Sequence, residues 1–121
     1  MIPIDVKPNP LLAINGAVKL AKALGSEQCL FTLIFIGDTS EMPVIKIEEK
    51  NGWEWKRNVR RGNVVDVILK VVDEINPDLI VMATKGHQGF LDTVRGSTTE
   101  QVVRRVPVPL LAVPAFKKPI S

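Results

Sequence analysis

The chain has 121 residues, of which 45% are hydrophobic and 24% are charged, and its formal net charge is +3 at pH 7. These values are typical of an ordinary globular protein, and we expect residues 1–121 to form a single domain. Acidic and basic groups are balanced in both halves, so we expect neither a membrane nor a nucleic-acid partner. The one cysteine excludes an internal disulfide. No apolar run approaches the ~20 residues of a membrane span, and no signal-peptide pattern is visible, which favours a cytoplasmic protein.

Short apolar strands alternate with amphipathic helices along the chain, which indicates an α/β sheet. The first predicted strand, Ile2–Ile4, is very short. Apolar residues at helical spacing then run from position 11 to position 24, after Asn9 and before the helix-ending Gly25. The segment CLFTLIFI, residues 29–36, predicts a strand that is covered on both faces.

The middle of the chain predicts a strand and a second helix. The segment WEWKRNV, residues 53–59, alternates apolar and polar positions, as an edge or half-exposed strand does. Asn63 and Asp66 resemble a capping box, and the helix that they open has an apolar face from Val64 to Ile75. The intervening residues 37–52 contain no clear helix, so they supply a short crossover between parallel strands.

The last third predicts two strands with a helix between them. LIVMA, residues 79–83, is a buried strand, and a helix runs from Ser97 to about Val106. The strand over residues 109–113 is flanked by prolines, which places it at a sheet edge. We also expect that adding three or four apolar residues before Ile2 raises the melting temperature, because the first strand is truncated.

A glycine-rich loop joins the buried strand to the last helix in the segment KGHQGFLDTVRGSTTE. Ser97 and Glu100 mark the helix start as a capping box. The backbone N–H groups of such a start attract phosphate, and Gly86 and Gly96 allow a close approach. Neither a P-loop nor a dinucleotide fingerprint is present. A glycine cluster can equally well shape a surface turn, so the residues alone leave both interpretations open.

The run DLIVMATKGHQGFLDTVRGSTTE, followed by VPVPLLAVP, resembles the C-terminal half of the universal stress protein family. Nucleotide-binding members of that family carry G-x2-G-x9-G-S/T. Gly86, Gly96 and Ser97 match this motif, whereas Ala83 takes the place of its first glycine. The opening IPID resembles the first strand of the family, which ends in an aspartate that contacts the nucleotide, here Asp5.

The resemblance implies a Rossmann-like fold, an open five-stranded parallel sheet in the order 3-2-1-4-5 with helices on both faces. It also implies ATP as ligand, with or without Mg²⁺ or Mn²⁺, and a homodimer through residues 109–113. The implied adenine and ribose side is lined by Ile4, Asp5 and Ile36. The implied ribose and phosphate contacts are Met82, Ala83, Gly86, Gly96, Ser97, Thr98 and Thr99. Core packing explains Ile4 and Ile36 equally well.

Three functions are compatible with these features. The favoured one is a universal stress protein that binds ATP as a sensor or switch without efficient catalysis. The alternative is a nucleotide-free dimeric interaction module of the same fold. An enzyme, such as an ATPase, is not expected, because no general base and no P-loop lysine are recognisable. We therefore assign no catalytic and no metal-binding side chains. If ATP binds, we expect Ala83→Gly to bind it equally well or more tightly.

Overall fold

The computed structural model describes residues 1–4, 11–38, 45–47, 49–84 and 98–114, with the backbone alone for Thr84 and Thr98. The elements are, in chain order, β1 (Ile2–Ile4), α1 (Leu11–Ala23), β2 (Cys29–Ile36), β3 (Trp53–Arg60), α2 (Val64–Ile75), β4 (Ile80–Thr84), α3 (Thr98–Arg105) and β5 (Leu110–Pro114). The predicted sequence of elements is confirmed, and most of the predicted bounds differ from these by no more than one residue.

The strands form one parallel sheet. β2 lies between β1 and β3, and β4 pairs with β5, all in parallel. Met1 connects these two groups. Its amino group donates to the Leu79 carbonyl at 3.0 Å, and the Val81 N–H donates to the Met1 carbonyl at 3.0 Å. In a parallel pair, each residue bonds to the two residues that flank the one opposite it. Met1 bonds to Leu79 and Val81, so it lies opposite Ile80. The strand order is therefore 3-2-1-4-5, as predicted.

Each face of the sheet carries its own hydrophobic core. α1 covers one face, where its buried residues pack against side chains of β1, β2 and β4, including Ile2, Leu33 and Val81. α2 and α3 cover the other face, where Ile68, Val71 and Val102 pack against Ile34 and Ile80. Strand side chains alternate between the faces, so the apolar run of a central strand supplies both cores. Helices on both faces were predicted, and this is confirmed.

α1 is held close to the sheet and ends in a well-defined turn. A Cβ at Gly16 would lie 2.7 Å from Cγ2 of Val113, so glycine is what lets α1 approach β5. At the C-terminus, Ser26 N–H donates to the Ala21 carbonyl and Gly25, at φ +66°, donates to the Lys22 carbonyl. This is a Schellman motif, so the helix end at Gly25 is confirmed. Leu24, which the pattern placed on the apolar face, is 71% exposed because it lies beyond the helix.

α2 begins and ends as its sequence predicts. The Asn63 side chain accepts the Asp66 N–H at 3.1 Å, and Asn76 adopts the left-handed conformation with φ 47°. The predicted apolar face needs correction at both ends, because Val64 and Ile75 are exposed and Val65 is buried instead. The buried stripe is therefore rotated slightly from the predicted one.

The link between β2 and β3 carries neither helix nor strand in its described parts, residues 37–38, 45–47 and 49–52. Ile45 is buried in the core on the α1 face, and its carbonyl accepts a hydrogen bond from Arg57 at 3.3 Å. The predicted two-sided coverage of β2 holds only for its second half, since Leu30 is 50% exposed. β3 lies at the edge of its group of strands, in agreement with its alternating sequence.

Candidate functional site

The candidate site lies where the strand order reverses. From the central β1 the chain first adds β2 and β3 on one side, and it then crosses to add β4 and β5 on the other. In open parallel sheets, ligands bind in the crevice outside the carboxyl ends of the strands at such a switch point. The boundary between β1 and β4 is therefore where the fold offers a binding crevice.

Three predicted site residues lie at or next to the carboxyl ends of β1, β2 and β4. Ile4 is level with Phe35 of β2, so Ile36 stands one residue beyond it. Met1 lies beside Ile80, and neighbouring strands advance by the same ~3.3 Å per residue, so Ile4 is also level with Ala83. The sheet therefore brings Ile4, Ile36 and Ala83 to one rim.

The side chains of these residues face different cores. Ile4 is 5% exposed and packs in the core on the α1 face, whereas Met82 is 6% exposed and packs in the core beneath α2 and α3. Ile36 and Ala83 are half-buried at the edges of those cores. Ile4 and Met82 are thus core residues by packing, which leaves their backbone groups as the part available to a ligand.

Ala83 has an ordinary strand conformation. It lies in β4 and pairs with Val113 of β5. Among the described residues other than glycine, a positive φ occurs at Asn76 alone. The alanine methyl group is therefore compatible with the backbone here, and the absence of glycine imposes no strain.

α3 stands in the chain between β4 and the parallel strand β5, so its first turn belongs to the carboxyl side of the sheet. Thr98 is its first residue, and Thr99 is half-buried. Glu100, in the first turn, forms an ion pair with Arg104 at 2.6 Å instead of remaining an isolated charge near the helix start. The other predicted site residues, Asp5, Gly86, Gly96 and Ser97, lie outside the described residues.

One charged pair at this rim was not recognised in the sequence. Asp38 follows the end of β2 and Arg61 follows the end of β3, and their side chains approach to 3.6 Å. The Gly37 N–H donates to the Arg60 carbonyl at 2.9 Å, which extends the pairing beyond both strands. The sequence signal for Asp38 is an acidic residue two positions after an apolar strand, because a residue in that position must lie at the carboxyl edge of the sheet.

The tryptophans of β3 lie away from the crevice, towards the amino ends of the strands. The Trp53 ring nitrogen donates to the Ser26 carbonyl at 3.0 Å, and the Trp55 ring stacks on Phe31 with centroids 4.0 Å apart. Shallow clefts in the described part of the chain open beside these rings, lined in part by Gln28 and Lys50. Because the rings pack against the protein itself, we do not place the site there.

Two features are absent from the described residues, a membrane-spanning helix and a cluster of metal ligands. No helix among them is both long enough and apolar enough to cross a membrane. Within the same residues, no three or more histidine, cysteine or acidic side chains come together as metal ligands.

Comparison with known proteins gives a consistent family. The sequence model of the universal stress protein family matches residues 41–114. A universal stress protein of Synechocystis is 28% identical over 87 residues, covering 65% of this chain and 30% of that protein. One from Methanocaldococcus jannaschii is 28% identical over 115 residues, covering 95% of this chain and 63% of that protein. The chain thus spans less than two thirds of the length of these relatives.

Solved structures share the fold. A universal stress protein from Archaeoglobus fulgidus superposes with a TM-score of 0.67 at 24% identity, covering 93% of this chain and 42% of that one. A universal stress protein solved in complex with cAMP superposes with a TM-score of 0.64 at 16% identity, covering 95% of this chain and 96% of that one. Because the family model matches more than half of its residues, this chain belongs to the universal stress protein family.

Proposed function

We propose that this chain binds ATP at the carboxyl rim between β1 and β4, and that it acts as a nucleotide sensor or switch without efficient turnover. The observation that carries the proposal is the switch point itself, which brings Ile4, Ile36 and Ala83 to one rim. In the sequence, the glycine motif stands between β4, which ends at that rim, and α3. The related fold solved with cAMP supports a nucleotide as the ligand class.

The phosphates would lie at the start of α3. The first turn of a helix offers unpaired N–H groups and the positive end of the helix dipole, which favour an anion. Glu100 in that turn would repel phosphate, but Arg104, one turn further on, pairs with its carboxylate. The nucleoside would then extend across β1 towards the end of β2.

A divalent cation at this site would depend on the nucleotide. The described residues gather no group of three or more metal-ligating side chains. Mg²⁺ is commonly held by substrate phosphates together with one or two carboxylates and water. We therefore expect Mg²⁺ or Mn²⁺ to be bound with ATP and not by the protein alone.

A second candidate is a nucleotide-free interaction module that acts as a homodimer through β5. It is favoured by the position of β5 at the end of the sheet that the described residues form, with Leu110, Leu111 and Val113 only half-buried. An exposed strand edge is a natural pairing surface. Both candidate functions are compatible with a homodimer, and they differ in whether nucleotide binding is part of the function.

Titration calorimetry with ATP separates the candidates. We expect the parent chain to bind ATP and Gly86→Val and Gly96→Val to lose binding, because a side chain would block the approach of the phosphates. Gly89→Val is the matched control, since Gly89 lies in the same segment but outside the motif. Circular dichroism establishes that each variant is folded. Absence of ATP binding by the folded parent chain, not restored by Ala83→Gly, would favour the interaction module.

A further inference from the structure

A cleft beside β3 combines two indole rings with two carboxylates. We propose that this cleft binds a small quaternary ammonium compound, because aromatic faces and negative charges both attract such a cation. The cleft lies near the amino end of β3, away from the carboxyl rim, so the inference is independent of the proposed nucleotide site. Its lining includes Ile47, Glu49, Lys50, Trp53, Glu54 and Trp55.

The two indole rings are fixed by contacts with the protein. Trp53 and Trp55 are two positions apart in β3, so both side chains lie on the face of the sheet that α1 covers. The Trp55 ring stacks on Phe31 with centroids 4.0 Å apart, and the Trp53 ring lies 5.1 Å from the same phenyl ring. The Trp53 ring nitrogen also donates to the Ser26 carbonyl. A ligand therefore meets rings that are already ordered, which lowers the entropy cost of binding.

Lys50 shows that one of these rings attracts a cation. Its ammonium group lies 5.0 Å from the centroid of the Trp53 ring. A turn brings the two residues together, since the Trp53 N–H donates to the Lys50 carbonyl at 2.9 Å. Lys50 is exposed and its ammonium is strongly hydrated on a flexible stem, so a ligand can displace it from the ring. Lys50 is thus a competitor for the cation position over Trp53.

The charge of the cleft also favours a cation. Glu49 and Glu54 are exposed, and neither forms an ion pair with another residue in the described part of the chain. Together with the ammonium of Lys50, these two carboxylates give the lining a net charge of −1. A quaternary ammonium ion presents methyl groups and donates no hydrogen bond, so it loses less hydration at an indole face than a lysine does.

The test is an NMR titration with choline and with its neutral analogue, in which a carbon atom replaces the nitrogen. In the absence of nucleotide, choline should shift the indole N–H signals of Trp53 and Trp55 with a dissociation constant in the millimolar range, because exposed cation–π contacts are weak. The neutral analogue should bind about threefold more weakly. Lys50→Ala should bind choline about threefold more tightly, because the competing ammonium is removed.

Variants at the carboxylates test the electrostatic contribution. The double variant Glu49→Gln and Glu54→Gln should bind choline about threefold more weakly, because the charges are lost while the side-chain shapes are kept. Asp73→Asn is the matched control, since Asp73 is an exposed carboxylate on α2 outside the cleft, and it should behave as the parent chain. All of these positions are exposed, so circular dichroism should show that each variant is folded.

A preference for choline that disappears in the double glutamine variant would support the proposal. Equal affinity of the parent chain for choline and for the neutral analogue would overturn it, because apolar contact without recognition of charge would explain the binding. Choline that leaves the signals of Trp53 and Trp55 unchanged would overturn it as well.

Discussion

Ala83 replaces a glycine that nucleotide-binding members of the family carry, and its conformation decides what the replacement costs. It lies within β4, paired with Val113, in extended backbone that alanine adopts without strain. We therefore expect Ala83→Gly to leave ATP affinity unchanged. The same variant should lower the free energy of unfolding by about 0.5–1 kcal/mol, because glycine loses more backbone entropy on folding. Calorimetry and urea denaturation measure the two effects, and a marked gain in affinity would contradict the strand conformation.

Gly52 and Gly25 form a matched pair for testing backbone strain against steric overlap. Both have positive φ, +87° and +66° respectively, but a Cβ at Gly52 would lie 2.1 Å from the Glu27 carbonyl oxygen, whereas at Gly25 nothing lies within 4 Å. We expect Gly25→Ala to cost about 1 kcal/mol and Gly52→Ala clearly more, since the latter also displaces the chain before β2. Equal losses in urea denaturation would show that the overlap is relieved at no cost.

Individual candidate site residues could be proposed from the sequence only where a motif identified them. Gly86, Gly96 and Ser97 came from a spacing pattern, and Asp5 came from resemblance. The position of Asp38, two residues after an apolar strand, predicts only that it lies at the carboxyl edge of the sheet. Its ion pair is with Arg61 beyond the neighbouring strand, which lies 23 positions later in the sequence and 3.6 Å away in space. Contacts between strand ends depend on the sheet order, which local sequence does not contain.

At the scale of elements, β1 is the shortest strand and lies at the centre of the sheet. Its side chains are almost fully buried, with Ile2 at 1% and Ile4 at 5% exposure. In the 121-residue chain the Met1 amino group donates to the Leu79 carbonyl. Burial holds the pKa of this amino group below its ordinary value of 8.0, which means that its charge opposes folding.

We expect a chain extended by three or four apolar residues before Met1 to melt at a higher temperature. The extension replaces the buried ammonium with a neutral amide that still donates to the Leu79 carbonyl, and it lengthens β1. The unfolded parent binds more protons than the folded one just below pH 8.0, so its stability should rise with pH through that window. The extended chain should lack this rise. Thermal melts from pH 6 to 9 test both points.

Acetylation of Met1 separates the two contributions to this effect. It removes the charge without lengthening the strand, so it should abolish the pH dependence and give only part of the gain. An extended chain that melts no higher than the parent would show that the central strand is already complete.

The sequence predicted the ends of helices and strands better than it predicted which side of a helix is buried. Helix ends at Gly25 and Asn76 were predictable because capping depends on local backbone chemistry. The apolar face of α2 was misplaced by one position, with Val65 buried in place of Val64. A run such as VVDVI offers two adjacent valines, and the packing of the helix on the sheet decides which of them is buried. Periodicity alone cannot resolve that choice.

At the scale of the whole molecule, β5 ends the sheet in the described part of the chain. The Ile80 N–H donates to the Pro109 carbonyl, and Ile80 pairs with Leu110. In a parallel ladder this directs the backbone groups of residues 109, 111 and 113 towards β4 and those of Leu110 and Ala112 outwards. A partner strand would therefore bond to Ala112.

We expect Ala112→Pro to weaken a homodimer through β5 while the monomer remains folded. Proline removes the outward N–H, and it is tolerated where that group does not bond within the sheet. Ala112→Val is the matched control, because it keeps the N–H. Light scattering at micromolar concentration measures the assembly. A monomeric parent would contradict the proposed dimer, and a dimer unaffected by proline would place the interface elsewhere.

The strand order could not be derived from periodicity. Hydrophobic patterns gave five strands and three helices, but many orders of five parallel strands are compatible with them. The order 3-2-1-4-5 was expected from the resemblance, and the hydrogen bonds of Met1 to Leu79 and Val81 confirm it. The location of the candidate site depends on this order, because the crevice exists only where β1 adjoins β4.

The most direct test of the central claim is to map ATP binding on the isotopically labelled chain by NMR of its backbone amides. We predict that ATP shifts the signals of Ile4, Ile36 and Ala83 at the carboxyl rim and that of Thr99 in the first turn of α3. The signals of Gln28 and Trp53, near the amino ends of the strands, should remain unchanged. Shifts confined to the amino ends, or no shifts at saturating ATP, would contradict a nucleotide site at the junction of β1 and β4.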